Sequence, residues 1–100
     1  MITINFFDKK ISLKLVNHTY SQNGRIAVEA VDAATDEPFG MVTVNIPEVC
    51  LEHDEVCVKT WSGNAYWVPQ VLAALKDKWV PTGREVRTGF VMAPVYKIAS

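Results

Sequence analysis

Apolar and polar residues alternate with a period of two over most of this chain, and at one place they switch to a helical period. Ile2, Ile4 and Phe6 alternate with Thr3, Asn5 and Phe7, which predicts a first strand. After the polar break Asp8-Lys9-Lys10, Ile11, Leu13 and Leu15 alternate with Ser12, Lys14 and Val16 as its hairpin partner. Tyr20 to Arg25 carries an Asn23-Gly24 pair suited to a turn at positive φ. Ile26, Val28 and Ala30 then predict a third strand, and Asp32 to Pro38 a turn. Val42, Val44 and Ile46, alternating with Met41, Thr43 and Asn45, predict a fourth strand that Pro47 ends. Val56 and Val58 open a fifth that runs toward Trp61.

The helical period lies between Trp61 and Trp79. Val68, Val71, Leu72, Leu75 and Trp79 fall on one stripe of a helix. Ser62-Gly63-Asn64 offers N-caps, and Pro69 fits the first turn if regular helix begins near Val68. Lys76 and Lys78 suit the last turn, and Pro81 with Gly83 predicts the stop. Arg84 to Arg87 reads as a short polar extended piece and Thr88-Gly89 as a bulge or turn. Phe90 to Ile98 reads as a last strand, made an edge or broken at Pro94. The expected fold is α+β: a meander-like antiparallel sheet of about six strands packed on a single α-helix, in one domain spanning 1–100.

Composition agrees with a globular domain, since 49% of the 100 residues are hydrophobic and 10% aromatic. No apolar run approaches the roughly 20 residues that span a bilayer. The N-terminal residues alternate without a basic region, so no signal peptide is expected and the chain reads as cytoplasmic. Two cysteines do not make a disulfide scaffold, and in that compartment both are expected reduced. The net charge of −1 conceals a segregation. Ile26 to Val58 holds no Lys or Arg but Glu29, Asp32, Asp36, Glu37, Glu48, Glu52, Asp54 and Glu55. From Lys59 onward bases dominate. Such asymmetry steers a partner, unless the two segments lie side by side and neutralise each other.

Candidate chemistry is sparse. Cys50-x-x-His53-x-x-x-Cys57 is the one metal-like pattern, because zinc takes thiolate and imidazole ligands at close local spacing. Neither histidine lies in a nucleophile-elbow context, the loop acids read as exposed, and there is no glycine-rich phosphate loop. No catalytic residue and no cofactor are therefore expected. Lys76 to Lys97 interleaves five bases with Trp79, Phe90 and Tyr96, but the slightly acidic whole disfavours direct nucleic-acid binding. Trp61, Tyr66 and Trp67 are either core or interface anchors, because Trp and Tyr dominate binding hot spots.

Several phrases occur in order along the chain: Tyr20-Ser21-Gln22-Asn23-Gly24-Arg25, Val31-Asp32-Ala33, Asp36-Glu37-Pro38 and Thr43-Val44-Asn45-Ile46-Pro47, then Asp54-Glu55-Val56, Val58-Lys59, Thr82-Gly83-Arg84-Glu85-Val86 and Gly89-Phe90-Val91. In these the chain resembles a family of small bacterial proteins, domain of unknown function 4313, associated with phages, plasmids and other mobile elements. The resemblance implies a setting and a fold, and no catalytic residue. The expected function is a non-enzymatic protein-interaction module, encoded by a mobile element and inhibiting a host nucleic-acid-binding or defence protein through an acidic face. Its expected partner residues are Asp36, Glu37, Glu52, Asp54, Glu55, Trp61, Tyr66 and Trp67. The alternative is a metal- or ligand-binding module built on Cys50, His53 and Cys57.

Overall fold

The computed structural model describes residues 1–99. Eight strands form two antiparallel sheets of four, with one short helix between the second and third strands of the second sheet along the chain. The fold is α+β, as expected, but its strands do not make a single six-stranded sheet. The first sheet is a meander of β1 (Ile2–Phe6), β2 (Lys9–Thr19), β3 (Ile26–Asp32) and β4 (Pro38–Met41). The second contains β5 (Thr43–Val44), β6 (Glu55–Val58), β7 (Trp79–Thr88) and β8 (Val91–Ile98), in the order β5-β6-β8-β7.

The division falls inside the expected fourth strand. Its period-two pattern is intact, but the backbone changes sheet at Val42. The Val42 N–H donates to the Val28 carbonyl of the first sheet at 2.9 Å, while its own carbonyl accepts the Lys59 N–H at 2.9 Å. Val42 is fully buried at this crossing. Alternation separates inward from outward side chains but not one interior from another: Val42 clusters with Val28 and Val58, whereas Val44 and Ile46 cluster with Cys57 and Val95, so the pattern carries no sign of the change.

The helix is shorter than its apolar stripe suggests. A 3-10 turn at Ser62–Tyr66 leads into α1, which covers Val68–Ala74 with Pro69 in its first turn. Trp79 lies beyond it, at the start of β7. Pro81 and Gly83 do not stop the helix; they sit in β7, where pairing with β8 shifts between Pro81 and Glu85 and Gly83 takes φ +83°. A bulge of this kind tolerates both residues. Pro94 neither breaks β8 nor marks an edge. β8 is interior to its sheet, and pairing with β6 stops at Cys57↔Val95, one residue short of the proline that lacks an N–H to give.

Two cores result. The larger joins Ile4, Leu13, Val28 and Ala30 of the first sheet to Val56, Val58 and Trp79 of the second and to Trp67, Val68 and Val71 around α1. The smaller, on the other face of the second sheet, gathers Ile46, Cys57, Ala93 and Val95 under Val44, Val49, Leu51, Trp61 and Val86. One bracket of hydrogen bonds ties the loops above it. Tyr20 Oη meets Thr43 Oγ1 at 2.8 Å, and Asn23 Nδ2 donates to Asn45 Oδ1 at 3.1 Å. Arg25 donates to the carbonyls of Ile46, at 2.9 Å, and Val49. Residues 20–25 and 43–49 therefore form a structural clasp.

Candidate interaction surface

The most unusual local geometry lies at the tip of the β1–β2 hairpin. The register Phe6↔Lys9 leaves a two-residue turn, Phe7-Asp8, with φ +47° and +68°. Two successive positive φ values define the turn whose twist matches the flanking strands, and it favours Asn and Gly. A phenylalanine there is strained by on the order of 1–3 kcal/mol. The strained side chain is not buried in compensation: Phe7 is 65% exposed.

Phe7 heads a chain of aromatic contacts. Its ring lies 4.7 Å from that of Phe6 and 5.0 Å from that of Tyr66, itself 59% exposed. Phe6 packs edge-on to Phe39 at 5.3 Å, and Phe39 edge-on to Trp67 at 5.1 Å. The chain thus runs from the buried indole of Trp67 outward to two exposed rings, giving the surface pair a rigid base.

Gln70 fixes the two halves of the patch. Its Oε1 accepts the Asn5 N–H and its Nε2 donates to the Asn5 carbonyl, both at 2.8 Å, so the side chain pairs with β1 as a neighbouring strand would. The same Nε2 donates to the Tyr66 carbonyl at 3.0 Å. Asn64, buried under the 3-10 turn, donates to the carbonyls of Met41 (2.7 Å) and Lys59 (3.0 Å). Tyr66 is therefore held from both sides.

The expected partner residues do not assemble into one surface. Tyr66 is exposed, whereas Trp67 is buried in the larger core and Trp61 is partly buried against the smaller one. Among the acids, Asp36 pairs with Lys14, and Asp54 with Lys97 at 3.5 Å. Glu55 turns back to accept the Glu52 N–H at 2.9 Å, closing the loop before β6. Glu37 and Glu52 remain exposed. Two acids of the segment thus meet a lysine, and of these pairs Asp54–Lys97 alone joins the acidic segment to the basic tail.

The metal pattern is not realised. Among the described residues no three His, Cys, Asp or Glu side chains converge as metal ligands. Cys57 is enclosed by the apolar smaller core, whereas Cys50 is exposed on a loop whose carbonyl accepts Arg84 at 2.8 Å. The cause is the alternation of β6, which turns Cys57 inward. Burial pushes its thiol above the ordinary value, more strongly than Arg25 and Arg84 pull it down. Burial also raises Tyr20, partly offset by its bond to Thr43. The cleft holding His53 and Asp54 is bounded by Asn17, Ile26, Val80 and Lys97. No helix of the described residues is long and apolar enough to cross a membrane.

Phe7 was not legible as a site residue, because alternation places it on the reverse face of a strand. The signal present in the sequence was spacing: two residues, Phe7-Asp8, separate the hairpin strands. No protein-family model matches the chain, and no curated protein and no solved structure matches it.

Proposed function

We propose that this chain is a non-enzymatic protein-interaction module that grips its partner with Phe7 and Tyr66. The observation that carries the reading is the turn at Phe7: a strained, two-thirds exposed aromatic stands where Asn or Gly would cost less. Strain of this kind persists where function requires it. Exposed aromatics on a rigid base are also what a binding hot spot needs, since little conformational entropy is lost when they are covered.

The resemblance to the mobile-element family supports a host nucleic-acid-binding or defence protein as the partner. The exposed acids Glu37, Glu48 and Glu52 favour a basic surface on that partner, as long-range steering charges. The free thiols of Cys50 and Cys57 fit a cytoplasmic setting.

Affinity capture from host lysate, comparing the natural chain with a Phe7→Ser/Tyr66→Ser double variant, tests this reading. The natural chain is expected to retain a protein that the folded double variant does not. Identical captured sets from both chains would remove the aromatic patch as the binding site.

A further inference from the structure

The two sheets have four edges, and among the described residues three are short or filled. β5 has two residues, and β4 has four and begins at Pro38. The edge of β1 is occupied at Asn5 by the Gln70 amide. β7, ten residues long, pairs on one side only, with β8. A long bare edge is a template for another strand.

The register identifies which backbone groups are open. The hairpin turn Gly89-Phe90 has Gly at positive φ, and the pair flanking such a two-residue turn, Thr88↔Val91, exchanges hydrogen bonds. Bonded and non-bonded pairs then alternate, so Arg87↔Met92 and Glu85↔Pro94 are non-bonded. The N–H and C=O groups of Glu85 and Arg87 therefore point away from β8, to the open side.

We propose that this edge pairs with itself: two copies of the chain join antiparallel through residues 84–88, with Val86 on the two-fold axis. Across such a joint an outward-pointing residue must stand opposite another outward-pointing residue, and the residues between them form the non-bonded pairs. Three symmetric alignments satisfy this within the segment. Glu85 opposite Glu85 or Arg87 opposite Arg87 sets like charges in contact; Glu85 opposite Arg87 forms two opposite-charge pairs on one face. Glu85 and Arg87 share that face with exposed Met92, and neither is in an ion pair of its own chain among the described residues. A charged edge ordinarily repels a neighbour. Here the acid and the base stand two residues apart, so the edge is complementary to a second copy of itself. The same alignment carries the hairpin tip with Phe90, fully exposed in the single chain, alongside the partner's bulge at Gly83.

Sedimentation of the full chain over a range of concentrations tests the proposal, with circular dichroism as the check on folding. The natural chain is expected to dimerise. Glu85→Arg and Arg87→Glu are each expected to weaken dimerisation about tenfold or more, because each sets two like-charge pairs in contact. An equimolar mixture of the two variants is expected to dimerise again, since an edge bearing two arginines then meets one bearing two glutamates. A natural chain that stays monomeric, single variants that dimerise as the natural chain does, or a mixture that associates no better than its components would each overturn the proposal. The Phe7→Ser/Tyr66→Ser variant leaves this edge intact and is expected to dimerise normally, so the two surfaces fail or stand separately.

Discussion

Gly40 lies beneath the indole of Trp67, and a Cβ at that position would stand 2.8 Å from Trp67 Cζ2. The ring is buried in the larger core and packed on Phe39, so it has little room to withdraw. Gly40→Ala is therefore expected to destabilise the fold by roughly 1–3 kcal/mol, read from the urea midpoint. Cys57 makes a second prediction. Burial raises its folded-state pKa above the ordinary value of 9.0. Its contribution is then constant below that value and lost as pH rises through the folded value, with Tyr20 following above its own ordinary value of 10.0. Unfolding midpoints are expected to agree at about pH 7 and about pH 8 and to fall by about pH 10. Cys57→Ala should flatten the first part of that fall. At this scale the sequence was legible where burial follows alternation, as for Ile4, Leu13 and Val28. It was illegible where a loop decides: one residue's shift made Phe7 a turn residue rather than a strand residue.

Elements were readable in proportion to their apolar content. β1 and β3 fall where the alternation places them, β2 begins two residues earlier than expected, at Lys9 inside the polar break, and α1 starts where Pro69 requires. The end of α1 is not legible in the sequence because Trp79 satisfies both periods: it continues the helical stripe and also opens β7 facing the core. β7 is hard to read for the opposite reason. It is an edge, so Glu85 and Arg87 carry charge where an interior strand would carry valine, and the bulge at Gly83 interrupts what alternation remains. Burial along α1 is uneven. Val68 and Val71 are fully buried, while Leu72 lies partly exposed at the rim beside Pro81 and Tyr96. Leu72→Ala is therefore expected to cost about 2 kcal/mol, the low end for a buried leucine. Calorimetric or urea unfolding of the variant checks this, and a loss of about 4 kcal/mol or more would place Leu72 in the centre of the core.

Across the whole molecule, the larger core between the two sheets is closed by a seven-residue helix, and the side chains left over divide into two surfaces. The clasp from Tyr20, Asn23 and Arg25 to residues 43–49 gives those residues a structural role: they hold loops together. The segregation of charge along the chain was legible, but its pairing was not, because Lys14–Asp36 and Asp54–Lys97 are brought together only by the sheets. The proposed recognition pair is Phe7 and Tyr66, both exposed. The most direct test separates their binding role from a structural one. Phe7→Asn gives the hairpin a residue its turn prefers while removing the exposed ring. Thermal unfolding and partner capture would be measured on the same preparation. A midpoint at or above that of the natural chain with capture lost is the predicted result. A midpoint lowered by several degrees with capture unchanged would contradict it, and would make Phe7 part of the scaffold rather than the site.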